Sequence, residues 1–146
     1  MDDLSNDFEE LLAFLNAYGV RAIVVGGHAL AFHGHPRYTK DLDVFVEPSS
    51  ENAEALLGAL AAFGFGSVGL TADDFAPGKV VQLGVAPNRI DLMTAIDGVS
   101  FSDAWEDREP GHFGEVPVHY MGRETFVRNK QAAGRPQDLA DIDALR

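Results

Sequence analysis

Apolar residues at Phe8, Leu11, Leu12, Leu15 and Tyr18 follow helical spacing, which predicts a first helix over Ser5 to Tyr18 closed by Gly19 as a left-handed cap. Arg21 to Val25 is a short β-branched run suited to a buried strand, stopped by Gly26 and Gly27. A short helix, His28 to Phe32, is expected next, ending at Gly34. His35-Pro36 opens an irregular approach to a second strand, Asp41 to Glu47, because the residue before a proline is pushed out of the α region. Pro48, Ser49 and Ser50 begin the clearest amphipathic helix, with Ala53, Leu56, Leu57, Leu60 and Phe63 on its buried face. Further strands are expected over Ser67 to Leu70, Val80 to Leu83 and Ile90 to Thr94, the last two joined by a turn at Pro87-Asn88. Phe101 to Glu106 reads as a short helix and Val116 to Tyr120 as a strand. Two helices end the chain: Arg123 to Ala133, terminated by Gly134, and one starting at Pro136, where the missing N–H costs little.

Strands and helices intermixed over 146 residues predict one α/β domain, with a core at about 21–95 and C-terminal helices at about 123–145. A composition 46% hydrophobic and 10% aromatic is that of a folded chain, not a disordered one. Cysteine is absent, which removes disulfide frameworks, zinc ribbons and thiol nucleophiles. Asp2, Asp3, Asp7, Glu9 and Glu10 are the opposite of the basic region that opens a secretory signal, so a cytoplasmic protein is expected. The charge-free stretch from Ala55 to Ala72 is broken by Gly58, Gly64, Gly66 and Gly69, so no membrane span is expected. A formal charge of -12 disfavours broad attachment to nucleic acid. Five cations, Arg123, Arg128, Lys130, Arg135 and Arg146, nevertheless fall in the last 24 residues, where a local phosphate site could be built.

The candidate chemistry lies between Ile23 and Val46. Asp41 and Asp43 alternate along a strand, so they share one face while Leu42, Val44 and Val46 take the other. Two carboxylates about 6–7 Å apart along a strand can share a pair of hard cations about 3.5–4 Å apart, and magnesium is the natural occupant. Asp91, set among apolar residues in Arg89-Ile90-Asp91-Leu92-Met93, is costly to bury unless paired or metal-bound. Alone, Gly26-Gly27 reads as a turn and Asp41-x-Asp43 as the solvated side of a half-polar strand; combined with Asp91 they point to a metal site. Arg37 is a candidate phosphate contact, its alternative a surface ion pair. His33 and His35 could be half of a transition-metal site, but with no third nitrogen or sulfur ligand nearby they read instead as loop histidines.

The pattern of a hydrophobic residue with Gly-Gly, thirteen residues, Asp-hydrophobic-Asp-hydrophobic, then a distant Asp falls on Val25, Gly26, Gly27, Asp41, Leu42, Asp43, Val44 and Asp91. It resembles the nucleotidyltransferase superfamily that includes DNA polymerase β, particularly its small prokaryotic members. The resemblance implies a polymerase-β-like fold, a mixed twisted sheet with flanking helices. It implies that Gly26, Gly27 and His28, at the start of a helix, hold a nucleoside triphosphate, consistent with the affinity of helix N-termini for phosphate. Asp41 and Asp43 would bind two magnesium ions, with Asp91 as a further metal ligand that helps position or deprotonate the attacking hydroxyl. A second segment, Lys130 to Asp141, looks like the Lys…Arg…Asp-x-x-Asp stretch of nucleotidyltransferases from abortive-infection toxin–antitoxin systems. That likeness makes Lys130 and Arg135 contacts for β- and γ-phosphate and Asp138 the acid that orients them. The function so implied is transfer of a nucleoside monophosphate to an RNA or protein hydroxyl, with a cognate toxin or antitoxin as a further partner. The alternative is a noncatalytic, antitoxin-like nucleotide-binding module. Beside the larger toxins of that family this sequence is short, and no extra helical domain for a large acceptor is expected.

Overall fold

The structure, a computed structural model, describes residues 3–35, 41–66, 69–84 and 89–145. Arg37 and the Pro87-Asn88 turn lie outside the described residues. The elements run α1 (Asp3–Ala17), β1 (Ala22–Val25), α2 (Gly26–Phe32), β2 (Leu42–Val46), α3 (Ser50–Leu60), β3 (Val80–Leu83), β4 (Ile90–Met93), α4 (Phe101–Asp107), β5 (Glu109–Phe113), β6 (Val116–Tyr120), α5 (Arg123–Ala133) and α6 (Pro136–Leu145). The six strands form one mixed sheet in the order β3-β4-β2-β1-β6-β5. β2 and β4 run parallel, as do β1 and β6, while the other neighbours are antiparallel. Helices flank this mixed α/β arrangement. No helix among the described residues is long and apolar enough to cross a membrane.

The sheet is central because its middle strands have two apolar faces. In β2, Leu42, Val44 and Val46 are fully buried on one side, and Phe45 on the other meets Phe101 of α4 edge-on at 5.1 Å. α1 packs on α3 and β6, so Phe8, Leu11, Leu12 and Leu15 are buried, as their spacing predicts. α3 begins where Ser49 Oγ accepts from Asn52 N–H at 3.1 Å. The buried Asn52 amide then accepts from Arg21 N–H and donates to the carbonyls of Arg21 and Glu47, tying α3 to the ends of β1 and β2. Trp105 lies under Arg108, whose guanidinium carbon is 3.8 Å from the ring centroid.

Several features depart from the pattern-based reading. Gly69 and Leu70 carry no strand, and the other half of that expected strand, residues 67–68, lies outside the described residues. α3 continues into a π-helical turn, Ala61–Phe65, that breaks at Gly64 (φ 121°), and a 3-10 turn, Ala72–Phe75, follows. β5 is a strand that the pattern does not predict, since proline and glycine, here Pro110 and Gly111, are disfavoured within strands. At the edge of a sheet, however, a proline's missing N–H deprives no neighbour. Gly111 is needed there, since a Cβ would run into Phe32 and Tyr120, which stack at 4.3 Å.

Candidate active site

Parallel pairing of β2 and β4 sets Asp43 directly beside Asp91. Two residues earlier, immediately ahead of each strand, stand Asp41 and Arg89, which meet on the same side of the sheet. Leu42 N–H donates to Arg89 O at 3.0 Å, which carries the ladder to that end of the site. Three carboxylates and one guanidinium are thus brought together by backbone register. Arg89 Nη2 lies 2.8 Å from Asp41 Oδ2 and 3.4 Å from Asp91 Oδ2, so one nitrogen spans two acids.

The crowding of negative charge shows in Asp43, whose pKa is pushed up to about 6. Burial is the main cause. The Asp91 charge, the hydrogen bond that protonated Asp43 makes to Asp91, and the Asp41 charge add to it, while Arg89 opposes it. Asp91 is only 9% exposed, and its Oδ1 is buried without a hydrogen-bond donor among the described residues. Gly26 closes the site from the side of β1. It has φ 68°, and a Cβ built there would collide with the Asp43 carboxylate. We expect Gly26→Ala to displace Asp43 and strain the backbone at this positive φ, lowering stability by about 1–3 kcal/mol, as urea unfolding would show.

Opposite the acids stand α5 and α6. A cleft of about 350 Å³ has Gly26, Asp43 and Asp91 on its sheet side and Asn129, Lys130 and Arg135 on its helical side. α5 is held at its start and at its middle. Thr125 N–H and Oγ1–H donate to Asp107 Oδ2 at its start, and Asn129 Nδ2 donates to Asp97 O at 2.9 Å further along. Lys130 Nζ donates to Asp138 Oδ1 at 3.3 Å and lies 3.6 Å from Asp141 Oδ2. Arg135 grips Asp138 three ways, through its backbone N–H (3.1 Å), Nε (2.7 Å) and Nη2 (3.3 Å). Asp138 is the third residue of α6, so its reach back to the N–H before the helix is the return half of a capping box. The hydrogen bond from Arg135 holds the Asp138 carboxyl down to about 2, against the opposing effect of burial. Lys130 is itself mostly buried whereas Arg135 is largely exposed, so the first is a fixed charge and the second can swing.

Hard oxygen donors in negative surplus, a buried carboxylate oxygen without a donor and an adjoining glycine suit a divalent cation such as magnesium. The side chains as they stand do not yet clasp one: among the described residues no three acidic or histidine groups are arranged to hold a metal. Asp41 is engaged by Arg89.

The expected site residues thus fall into three groups. Gly26, Asp43, Asp91, Lys130 and Arg135 share the cleft, with Asp41 beside it on Arg89 and Asp138 behind the two cations. Gly27 follows Gly26 in the first turn of α2. His28 is elsewhere: its ring packs between Phe8 and Phe113 at 6.0 and 5.1 Å, burial lowers its pKa, and it hydrogen-bonds the Asp41 backbone. It supports Asp41 from behind instead of lining the cleft. His33 Nε2 is likewise occupied, by Met121 O at 2.8 Å. Arg89 and Asn129 were not anticipated. An arginine two residues before Asp91 in a strand was the available signal for the first. A larger hollow of about 460 Å³ near Tyr18, Arg21 and Glu47 carries none of the clustered acids.

Compared with known proteins, the chain matches no protein-family model, and no curated protein matches it significantly.

Proposed function

We propose that the chain is a magnesium-dependent nucleotidyltransferase of the polymerase-β-like fold, which transfers a nucleoside monophosphate from a nucleoside triphosphate to a hydroxyl of RNA or protein. One observation carries this reading: the Asp43–Asp91 pair and the Lys130–Arg135 pair face each other across a single cleft. Oxygen ligands for a metal and donors for phosphate are the two halves that in-line displacement at phosphorus needs. Asp41, Asp43 and Asp91 would hold magnesium, which supplies charge neutralisation for the triphosphate when bound. Asp91 takes the proton of the acceptor hydroxyl, whose oxygen forms a bond to the α-phosphorus as the bond to the departing pyrophosphate breaks. Lys130 and Arg135 receive the charge of the leaving group. The net charge of -12 favours a protein or small-molecule acceptor, or RNA where a partner such as a cognate toxin or antitoxin supplies the basic surface.

A second reading, a nucleotide-binding module without turnover, draws on the Asp41–Arg89 ion pair, which engages one of the metal ligands. Transfer of α-labelled nucleotides, with magnesium, onto cell extract and purified tRNA separates the two. Label is expected with the intact chain and not with Asp41→Ala/Asp43→Ala. Equal label from both proteins would remove the metal assignment, whereas no label together with magnesium-dependent nucleotide binding would favour the module.

A further inference from the structure

A second hollow, of about 250 Å³, opens where β1 begins, between α1, β6 and α4. It shares no lining residue with the acid cleft. Its floor is apolar and reaches the core, since Leu12, Leu15, Val24 and Val44 line it and are almost wholly buried. The less buried lining residues Arg21, Trp105 and His119 are of another kind. The guanidinium carbons of Arg108 and Arg21 lie 3.8 and 5.5 Å from the Trp105 ring centroid, and the His119 ring meets the indole edge-on at 5.1 Å. Two like charges thus share one indole, in a chain whose net charge is -12. Glu47 answers Arg21 at 3.2 Å, but among the described residues no carboxylate stands within ion-pair distance of Arg108, whose Nη1 donates to Trp105 O. His119 registers the surplus: burial first and the Arg108 charge second hold its pKa below the ordinary value. Its Nδ1 is buried and has no hydrogen-bond partner among the described residues. An unanswered cation and an orphaned buried nitrogen beside an apolar hollow suit an anion with an apolar tail.

We propose that this hollow is a binding site for a small carboxylate carrying an unbranched apolar chain, of the size of hexanoate. The chain lies on Leu12, Leu15, Val24 and Val44, and the carboxylate meets Arg21, Arg108 and His119. At the roughly 30 Å³ that a water molecule takes in the liquid, the hollow holds about eight non-hydrogen atoms, the number in hexanoate. A guanidinium prefers a carboxylate to a neutral head, because its parallel N–H groups match the two oxygens and the bonds are charge-assisted. His119 serves the same head without a charge of its own, since one neutral tautomer donates from Nδ1. The proposal is independent of the chemistry assigned to the acid cleft.

Trp105 is the sole tryptophan of the chain and lines the hollow, so its fluorescence reads the site directly. The test is titration of the 146-residue chain at pH 7 and constant ionic strength with sodium hexanoate, sodium butanoate and hexan-1-ol. A saturable change is expected with hexanoate. Butanoate should bind about tenfold more weakly, the worth of two buried methylenes, and hexan-1-ol, which keeps the chain and lacks the charge, also about tenfold more weakly. Arg108→Gln breaks no ion pair and should weaken hexanoate about tenfold while leaving hexan-1-ol unchanged. A hexanoate response that does not saturate would overturn the proposal. Equal affinity for hexanoate and hexan-1-ol would overturn it in favour of a merely apolar hollow, and equal affinity for hexanoate and butanoate in favour of an anion held at the surface. Undiminished hexanoate binding by Arg108→Gln would overturn the role of the cation. The three comparisons on the wild type decide the matter even if Arg108→Gln fails to fold.

Discussion

Lys130→Met should lower stability by about 2–4 kcal/mol, the cost of removing one partner from a buried ion group. Lys130 Nζ lies over the Phe126 ring, 5.3 Å from its centroid, a contact that methionine also loses. Asp138 and Asp141 are almost completely buried, and removing Lys130 takes away the cation that both share, leaving Asp138 with the largely exposed Arg135. Asp141 keeps the Gln137 amide at 2.9 Å, a neutral donor that offsets little of a buried charge. Urea unfolding at pH 7 should show a lower midpoint with an unchanged slope, and Lys130→Arg should recover part of the loss. A midpoint equal to the wild type would mean that the ion group does not hold α5 to α6, and the fixed phosphate-binding charge assigned to Lys130 would go with it.

Asp43→Asn should have the opposite effect on stability and, under the function proposed above, abolish metal-dependent nucleotide binding. Asp43 titrates near 6 in the folded chain against an ordinary value of 3.8, because its charged form must exist buried beside Asp91. Below pH 4 both folded and unfolded chains carry the proton, and the group favours the fold fully. As pH rises, the unfolded chain ionises first, and the advantage is lost through pH 6. Discounted for partial exposure and for coupling to Asp91, the loss is about 1–2 kcal/mol by pH 8. Asparagine cannot ionise, so the variant should melt several degrees above the wild type at pH 8 in the presence of a chelator, with the gap closing near pH 4. A gap independent of pH would show that the acids do not repel one another as the geometry requires. Asp138 runs the other way: its stabilising contribution is present above its ordinary pKa and is lost as pH falls towards 2.

Much of this was legible in the chain because it depends on short-range periodicity. The alternation against Asp41 and Asp43 marks Leu42, Val44 and Val46 as one buried face, and all three are fully buried, although Phe45 on the side of the aspartates is buried too. Gly134 adopts the left-handed conformation (φ 64°) expected at a helix end, and α6 starts at Pro136. What could not be read depends on register between distant segments. Arg89 faces Asp41 only because β2 and β4 pair in parallel with Asp43 opposite Asp91, and no local pattern encodes that offset. His28 drew attention as a neighbour of the glycine pair, yet the first turn of α2 aims it at Phe8 and Phe113. β5 escaped because its suitability comes from where it sits in the sheet and not from its residues.

The side-by-side placement of Asp43 and Asp91 also decides which changes of chain length the protein can survive. Neighbouring positions on a strand face opposite ways, so one residue inserted into β4 just before Asp91 would turn that carboxylate into the layer now filled by Leu92, Val44 and Leu42. Two inserted residues would restore the facing and break the pairing. Between α3 and β3, by contrast, added residues leave the β2–β4 register untouched, and the cost of a longer connection grows only with the logarithm of its length. Drift in length should therefore gather in that connection, while the two strands keep their count of residues.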